Sequence, residues 1–296
     1  MAKKSTEENA PNISTFSIIK REFKKDVGAM IALGIIVVAA LVVIVWPFFI
    51  DFDWAFSINP RRINQAPSSY HWLGTEVGGR DVFSLLIVGA RSSLTIALFV
   101  TALSAIIGIL MGLVSGYFGG KIDNAIMRVI DFISTLPALV MIIAFLAIVP
   151  GFNVIRFSLV MTFFSWTGVA RLVRARAIQE KELEYIQASK TLGTPHRVTI
   201  FRELLPNISS IIIVNLTLNT AANVGLETGL SFLGFGFPFE EPSLGSLISA
   251  ASDPIVMQHR WWIWVPAAIF VLVLMLAISS IGRTLNRATD ARLRRG

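Results

Sequence analysis

An all-α polytopic membrane protein with six transmembrane helices and both termini cytoplasmic is the fold the sequence predicts, on three observations. Hydrophobic residues make up 54% of the 296-residue chain, charged residues only 15%, and the mean hydropathy is +0.68. A soluble chain carries about a quarter charged residues. Six apolar stretches, at 27–50, 92–118, 125–149, 154–176, 207–230 and 261–282, are long enough, or nearly so, to cross a hydrocarbon core roughly 30 Å thick. Of the 26 lysines and arginines, all but Arg61, Arg62, Arg80, Arg91, Arg156 and Arg260 fall on the loops and tails of one side. Basic residues favour the cytoplasmic side, which puts both ends of the chain there.

Composition also removes several classes of function. The net charge of +7 needs no nucleic-acid partner, because anionic lipid of the inner leaflet accounts for it. The chain has no cysteine, which excludes disulfides, thiolate metal sites and cysteine nucleophiles. The first 26 residues are too polar, and the apolar run after them too long, for a cleaved signal peptide, so that run is expected to stay as an anchor.

The tail, residues 1–26, opens with a segment (1–12) of disordered composition. At 14–26, Phe16, Ile18, Ile19 and Phe23 alternate with Lys20, Arg21, Lys24 and Lys25. That mixture reads either as an amphipathic helix on the inner leaflet or as a plain basic flank. The remainder, 27–296, reads as one six-span domain.

After the first span comes an outer segment, 51–91, too long for a simple turn. Its stretch His71-Trp72-Leu73-Gly74-Thr75-Glu76-Val77-Gly78-Gly79-Arg80-Asp81 combines two glycine turns, an aromatic and an adjacent Arg80-Asp81 pair. A compact cap is expected there, and no metal role for the lone His71. The second span carries Ser104, Gly108, Gly112 and Gly116, each four apart, a bare face for close helix packing rather than a ligand site. Gly119-Gly120 makes the inner turn. In the third span Arg128 and Asp131 are spaced to pair on one face, and Pro137 is expected to kink it. The fourth span must end near Arg171, because Arg171, Arg174 and Arg176 cannot sit deep in hydrocarbon.

A polar loop follows at 178–206. Ile178 to Leu192 are mostly good helix formers, and Gly193 suits the left-handed residue that ends a helix. Thr194 is expected to cap the next helix, Pro195 to take its first position, and Pro206 to limit it. The result is a helix–glycine–helix elbow between two spans, either an ordinary surface hairpin or a rigid knob offered to a cytosolic partner.

In the fifth span Asn215, Asn219, Asn223 and Glu227 recur every four residues. Such a stripe does not face lipid uncompensated. It either lines a hydrated path or hydrogen-bonds neighbouring helices. The second outer segment, 231–260, is rich in Gly and Pro, with room for a short helix near Leu244–Ala251. Trp261, Trp262 and Trp264 mark the membrane interface, and 283–296 is a basic tail.

No G-x-x-x-x-G-K-[ST] phosphate loop is present, since Gly119-Gly120-Lys121 runs into Ile122. There is no H-E-x-x-H, and His71, His196 and His259 are too scattered for a Ser/His/Asp set. The chain therefore reads as non-catalytic and cofactor-free. If it moves a solute actively, another protein must hydrolyse the nucleotide, and the elbow is the surface on which it would act.

These residues carry a resemblance. The elbow resembles the EAA loop of ABC importer permeases, E-A-A, three residues, Gly, nine residues, then I-x-L-P. Gln187-Ala188-Ser189 stand for E-A-A, Gly193 takes the glycine, Leu205-Pro206 take the last pair, and Glu203 stands where the pattern has Ile. The chain is similar to the C-type permeases of the dipeptide/oligopeptide/nickel group. The match rests on the 71–81 stretch, Gly89-Ala90-Arg91, Gly116-Tyr117-Phe118-Gly119-Gly120 with Asp123, Arg128, Asp131 and Pro137, the run Glu227 to Gly234, and Pro242-Ser243-Leu244-Gly245.

The resemblance implies a type I importer fold in a prokaryotic cell membrane. It implies a related second permease subunit, two cytosolic ATP-binding subunits that use ATP and Mg, and an external solute-binding protein. Gln187, Ala188, Ser189, Leu192, Gly193, Thr194, Pro195, Leu205 and Pro206 would form the coupling surface for the ATPase. Three functions are open to such a chain. A peptide importer suits a path lined by asparagines, which both donate and accept. Import of nickel or another chelated metal would be expected to use His, Cys or carboxylate ligands. A self-contained secondary transporter or channel would place ionisable relays near mid-membrane.

Overall fold

The computed structural model describes residues 21–49, 51, 55–148, 153–238 and 241–293. The segment of disordered composition at 1–12 and most of the helix considered at 14–26 lie outside these residues, of which 21–25 are helical. The described residues form helices and connecting loops, with one isolated antiparallel bridge, Thr75 to Asp81.

Helix α1, Val27–Val45, is capped by Asp26, whose Oδ1 accepts from the Ala29 N–H at 3.2 Å. The same carboxylate accepts from Thr284 at 3.0 Å and from Arg287, tying the entry of the first helix to the far end of the last. The Thr284 and Ala29 bonds and the Arg287 charge hold Asp26 below the usual carboxylate range.

Helix α2, Val82–Phe118, is 37 residues long and begins ten residues before the expected span, because Asp81 caps it inside a folded outer segment. Gly119 and Gly120, at φ +66° and +56°, turn the chain at its inner end. Helices α3, Gly120–Thr135, and α4, Ala138–Ile148, meet at 80°. The expected kink at Pro137 is therefore a break. Leu136 is pushed to extended backbone (φ −82°, ψ 135°), as the residue before a proline tends to be.

Helix α5, Val154–Lys181, runs past Arg171, Arg174 and Arg176, and α6, Glu184–Thr191, follows at the elbow. Next come α7, His196–Val198, a π-helical segment, Thr199–Leu204, and α8, Leu205–Phe232. The second outer segment folds as α9, Leu244–Ser249, and α10, Pro254–His259, before the last helix, α11, Trp261–Leu293.

Two local expectations are corrected here. The N-cap of α7 is Pro195 rather than Thr194, and no side chain caps it. Pro206 does not limit the helix, which continues from His196 to Phe232. A proline ring normally strikes the carbonyl four residues back. The π turn widens the backbone immediately before Pro206, and the helix carries on through it.

Among the described residues, four helical stretches are long and apolar enough to cross a membrane: Val27–Phe48, Val82–Phe118, His196–Phe232 and Trp261–Thr289. The bent α3–α4 pair is a fifth if it is one span. Helix α5, where the sequence places another span, is diluted by Arg156 and Arg171 and by the buried hydroxyls of Ser158, Thr162 and Thr167. It packs along α2 in the most extensive helix contact of the described residues, so protein rather than lipid meets much of its polar surface.

That contact explains the glycine spacing. A Cβ on Gly108 would lie 2.6 Å from Val169 Cβ, one on Gly112 2.7 Å from the Ala170 carbonyl oxygen, and one on Gly116 2.6 Å from Ala177 Cβ. Numbers rise together along both helices, so α2 and α5 run parallel with their backbones nearly touching. Ser104 is buried one turn earlier on the same face. Around this seam one apolar cluster joins Ile96, Val100, Ile130, Phe157 and Met161, and a second joins Leu113, Tyr117, Val173, Ile186 and Leu204.

Candidate functional site

The elbow is built as a rigid projection. Its first helix, α6, ends in paired bonds from the Thr194 N–H to the Ser189 carbonyl (3.1 Å) and from the Gly193 N–H to the Lys190 carbonyl (3.0 Å), the double closure that a left-handed residue allows. Gly193 has φ +80°, and nothing lies within 4 Å of where a Cβ would sit. The backbone, not crowding, requires glycine there. Leu192 beside it is 86% exposed.

Below the tip the elbow is seated on the ends of α2 and α5. Ile186, Ile200 and Leu204 are buried against Leu113, Tyr117, Val169, Val173 and Ala177. Polar bonds brace its two arms. Ser189 Oγ donates to Glu203 Oε1 at 2.7 Å, Tyr185 Oη donates to Glu180 at 2.6 Å, and Asn207 Nδ2 donates to both Tyr185 Oη and the Glu203 carbonyl at 2.8 Å. Burial and the Glu180 carboxylate push the Tyr185 phenol up. Tyr117 Oη and His196 Nδ1 share a 2.8 Å hydrogen bond, with Lys190 Nζ 5.0 Å from the centre of the Tyr117 ring.

The residues singled out in the sequence divide by exposure. Gln187, Ala188, Leu192, Gly193, Pro195 and Pro206 are exposed, Thr194 and Leu205 are half-buried, and Ser189 is buried. Gln187 Nε2 donates to the Lys181 carbonyl at 2.8 Å. A carboxylate, which only accepts, could not make that bond.

Behind the elbow, Arg174 grips Asp123 with two bonds, Nε to Oδ1 at 2.5 Å and Nη2 to Oδ2 at 2.6 Å, and Ser115 donates to the same carboxylate. Asp131 pairs with Arg171 at 2.8 Å, which corrects the expected Arg128–Asp131 pair. The approach of α5 brings a guanidinium to Asp131 that local spacing does not reveal. Together these ties join α2, α3 and α5 at the base of the elbow.

The asparagine stripe on α8 splits in two. Asn215 and Asn219 are half-buried and bonded to each other, Nδ2 to Oδ1 at 3.0 Å. Asn223 is buried and donates to Thr101 Oγ1 on α2 at 2.9 Å. Glu227 is buried and accepts from Ser231 Oγ at 2.8 Å. Thr101 lies 122 residues from Asn223 in sequence and leaves no local signal there.

The outer cap is tightly bonded. Asp81 accepts from the Ser84 N–H and hydroxyl at 2.8 Å each and meets His71 Nδ1 at 3.0 Å. Arg80 donates to Glu76 at 2.9 Å, so the adjacent Arg80 and Asp81 each hold a different side chain of the cap. Gly74, at φ +67°, sits against the Trp262 ring, whose Nε1 donates to the Thr75 carbonyl at 3.3 Å. Trp262 is thus turned onto the cap, while Trp261 is exposed.

Comparison with known proteins gives concordant matches. Residues 104–295 match the family described as binding-protein-dependent transport system inner membrane component, and residues 14–67 match the N-terminal TM domain of oligopeptide transport permease C. The chain is 42% identical to the oligopeptide transport system permease protein OppC of Lactococcus lactis subsp. cremoris, over 95% of this chain and 96% of that one. It is 35% identical to the dipeptide transport system permease protein DppC of Bacillus subtilis, over 96% and 88%. It is 34% identical to OppC of the same organism, over 92% and 88%. With a match over most of its length and relatives of this identity, the chain belongs to the family of binding-protein-dependent transport system inner membrane components.

Proposed function

We propose that the chain is the permease subunit of an ATP-driven, binding-protein-dependent importer of di- and oligopeptides in a prokaryotic cell membrane. The elbow carries this reading. It presents an exposed leucine at the tip of a braced, left-handed turn, seated on the ends of two long helices. Such a surface is fitted to receive a push from a cytosolic ATP-binding subunit and pass it on without folding up. ATP is hydrolysed by that partner, and a related second permease and an external solute-binding protein complete the complex.

The six-span count follows if the α3–α4 pair is one broken span and α5 crosses sheltered by α2. Both termini are then cytoplasmic. Asn215 and Asn219, the half of the stripe not consumed in bonds to α2, line the path, which opens alternately to either side as ATP biases two states. The peptide cargo rests on the named relatives, which are oligopeptide and dipeptide permeases. Nickel gains no support from them, and a self-contained transporter gains none from a binding-protein-dependent family.

The test is uptake into proteoliposomes holding this chain with its partner permease and ATP-binding subunits, supplied with the binding protein. ATP-dependent entry of a labelled dipeptide or oligopeptide is expected. Entry of nickel alone, or uptake by this chain without an ATPase, would contradict the reading.

A further inference from the structure

We propose that α3 is a membrane-surface helix. It lies along the inner leaflet with Ile122, Ala125, Val129 and Phe132 in the lipid and Lys121 and Arg128 against anionic phospholipid headgroups, leaving α4 to make the crossing. The proposal deepens the broken span of the reading above and rests on its topology.

Charge divides the two halves of the pair. Helix α3 carries Lys121, Asp123, Asn124, Arg128 and Asp131, whereas α4, Ala138–Ile148, carries no charged residue. Were α3 to cross, Arg128 and Asp131 would lie about 12 and 17 Å from its start at Gly120, near the bilayer centre, where charges are costly. Asp131 is exposed, and its partner Arg171 marks the end of the fourth span. The 80° bend at Pro137 separates the two environments.

The ion pairs give α3 its course. Asp123 is held by Arg174 and Asp131 by Arg171, both on α5. Between the two aspartates α3 advances about 12 Å, but between the two arginines α5 advances only about 4.5 Å. The helices therefore cross steeply, and both pairs sit at the level of the arginines that end the fourth span.

Helix α3 also has two apolar faces. Ile130 and Ile133 are buried, with Ile126 and Met127 packed beside them, in the cluster that joins α2 and α5. Ile122, Ala125, Val129 and Phe132 recur at helical spacing on another side, and all four are exposed. Lys121 and Arg128, also exposed, precede Ala125 and Phe132 by one turn and so border this stripe. Water would leave the stripe uncovered, and hydrocarbon would strand the charges. An apolar stripe edged by basic residues, at the level where a span ends, matches the boundary between acyl chains and anionic headgroups.

The absence of cysteine allows single reporters, Ile122→Cys and Val129→Cys, each carrying an environment-sensitive fluorophore. They are read in the complex of both permeases and the ATP-binding subunits, in proteoliposomes whose lipids are brominated at defined acyl depths. The two positions are about 10 Å apart along the helix axis. A surface helix should give both the same quenching depth, about 5–10 Å into the headgroup and acyl boundary. Depths that differ by the full axial separation mean a crossing helix and overturn the proposal. So does absence of quenching at both, which would assign the stripe to the second permease, the ATP-binding subunit or water. Ala125→Cys and Phe132→Cys repeat the measurement if either first reporter does not assemble.

At equal mole fraction, brominated phosphatidylglycerol should quench the Val129→Cys reporter about twofold more than brominated phosphatidylcholine. Lys121→Gln with Arg128→Gln should make the two lipids equal. Equal quenching without those two changes, or an undiminished preference with them, overturns the headgroup contact. None of these readouts depends on cargo. Loss of ATP-dependent peptide uptake by the unmodified complex would overturn the importer reading and leave the depths standing.

Discussion

Ser189 and Glu203 join the two arms of the elbow through a 2.7 Å hydrogen bond from Ser189 Oγ to Glu203 Oε1. The second carboxylate oxygen of Glu203 is buried without a hydrogen-bond partner. Both positions depart from the loop pattern the chain otherwise resembles, and they depart together. A hydroxyl on one arm and a carboxylate on the other make a polar brace where an apolar contact would otherwise form. Ser189→Ala should therefore leave the carboxylate unsatisfied, at a cost of roughly 1–3 kcal/mol, and reduce peptide-stimulated ATPase activity. Ser189→Ala combined with Glu203→Ile should recover much of the loss. A double variant as impaired as the sum of the two single ones would show that the pair is not coupled.

Gly193 tests the elbow's turn. Its surroundings are open and its φ is positive, so only the backbone restricts the residue. Gly193→Val should cost about 1–2 kcal/mol of local strain and uncouple ATP hydrolysis from uptake while membrane insertion stays normal. Gly193→Asn, whose side chain tolerates the left-handed region, should be far milder. Equal behaviour of the two variants in a transport assay would rule out the backbone explanation.

The α2–α5 seam makes a stability prediction. Gly112→Leu drives a side chain into the Ala170 carbonyl and Val173, and overpacking of this kind typically costs about 1–3 kcal/mol or more. Thermal unfolding in detergent should show a clear drop in midpoint. Gly34→Ala on α1, where nothing lies within 4 Å, should leave the midpoint close to wild type.

The two halves of the asparagine stripe should respond differently. Asn223→Leu removes the donor to Thr101 on α2 and should lower complex stability before anything else. Asn219→Leu breaks only a bond within its own helix and should lower uptake in a complex that assembles normally. Assembly failure in Asn219→Leu would assign that residue to helix packing as well.

What the sequence made legible was whatever depends on neighbours along the chain. The four-residue spacing of Gly108, Gly112 and Gly116 is a property of one helix, and so is the stripe from Asn215 to Glu227. The left-handed end at Gly193 is likewise local. What it did not show depends on partners that folding supplies. Asp131 faces Arg128 in sequence but Arg171 in space, and the stripe divides only because Thr101 reaches Asn223. Pro206 reads as a boundary until a π turn, with no simple sequence mark, carries the helix past it.

Leu192 offers the most direct measurement of the central claim, that the elbow is the cytoplasmic surface through which an ATP-binding subunit works this chain. With Leu192→Cys as the sole thiol, a membrane-impermeant maleimide should label inside-out vesicles and leave intact cells unlabelled. Adding the ATP-binding subunits should protect the thiol. Labelling from outside intact cells would invert the topology, and undiminished labelling in the assembled complex would remove the elbow from the coupling surface.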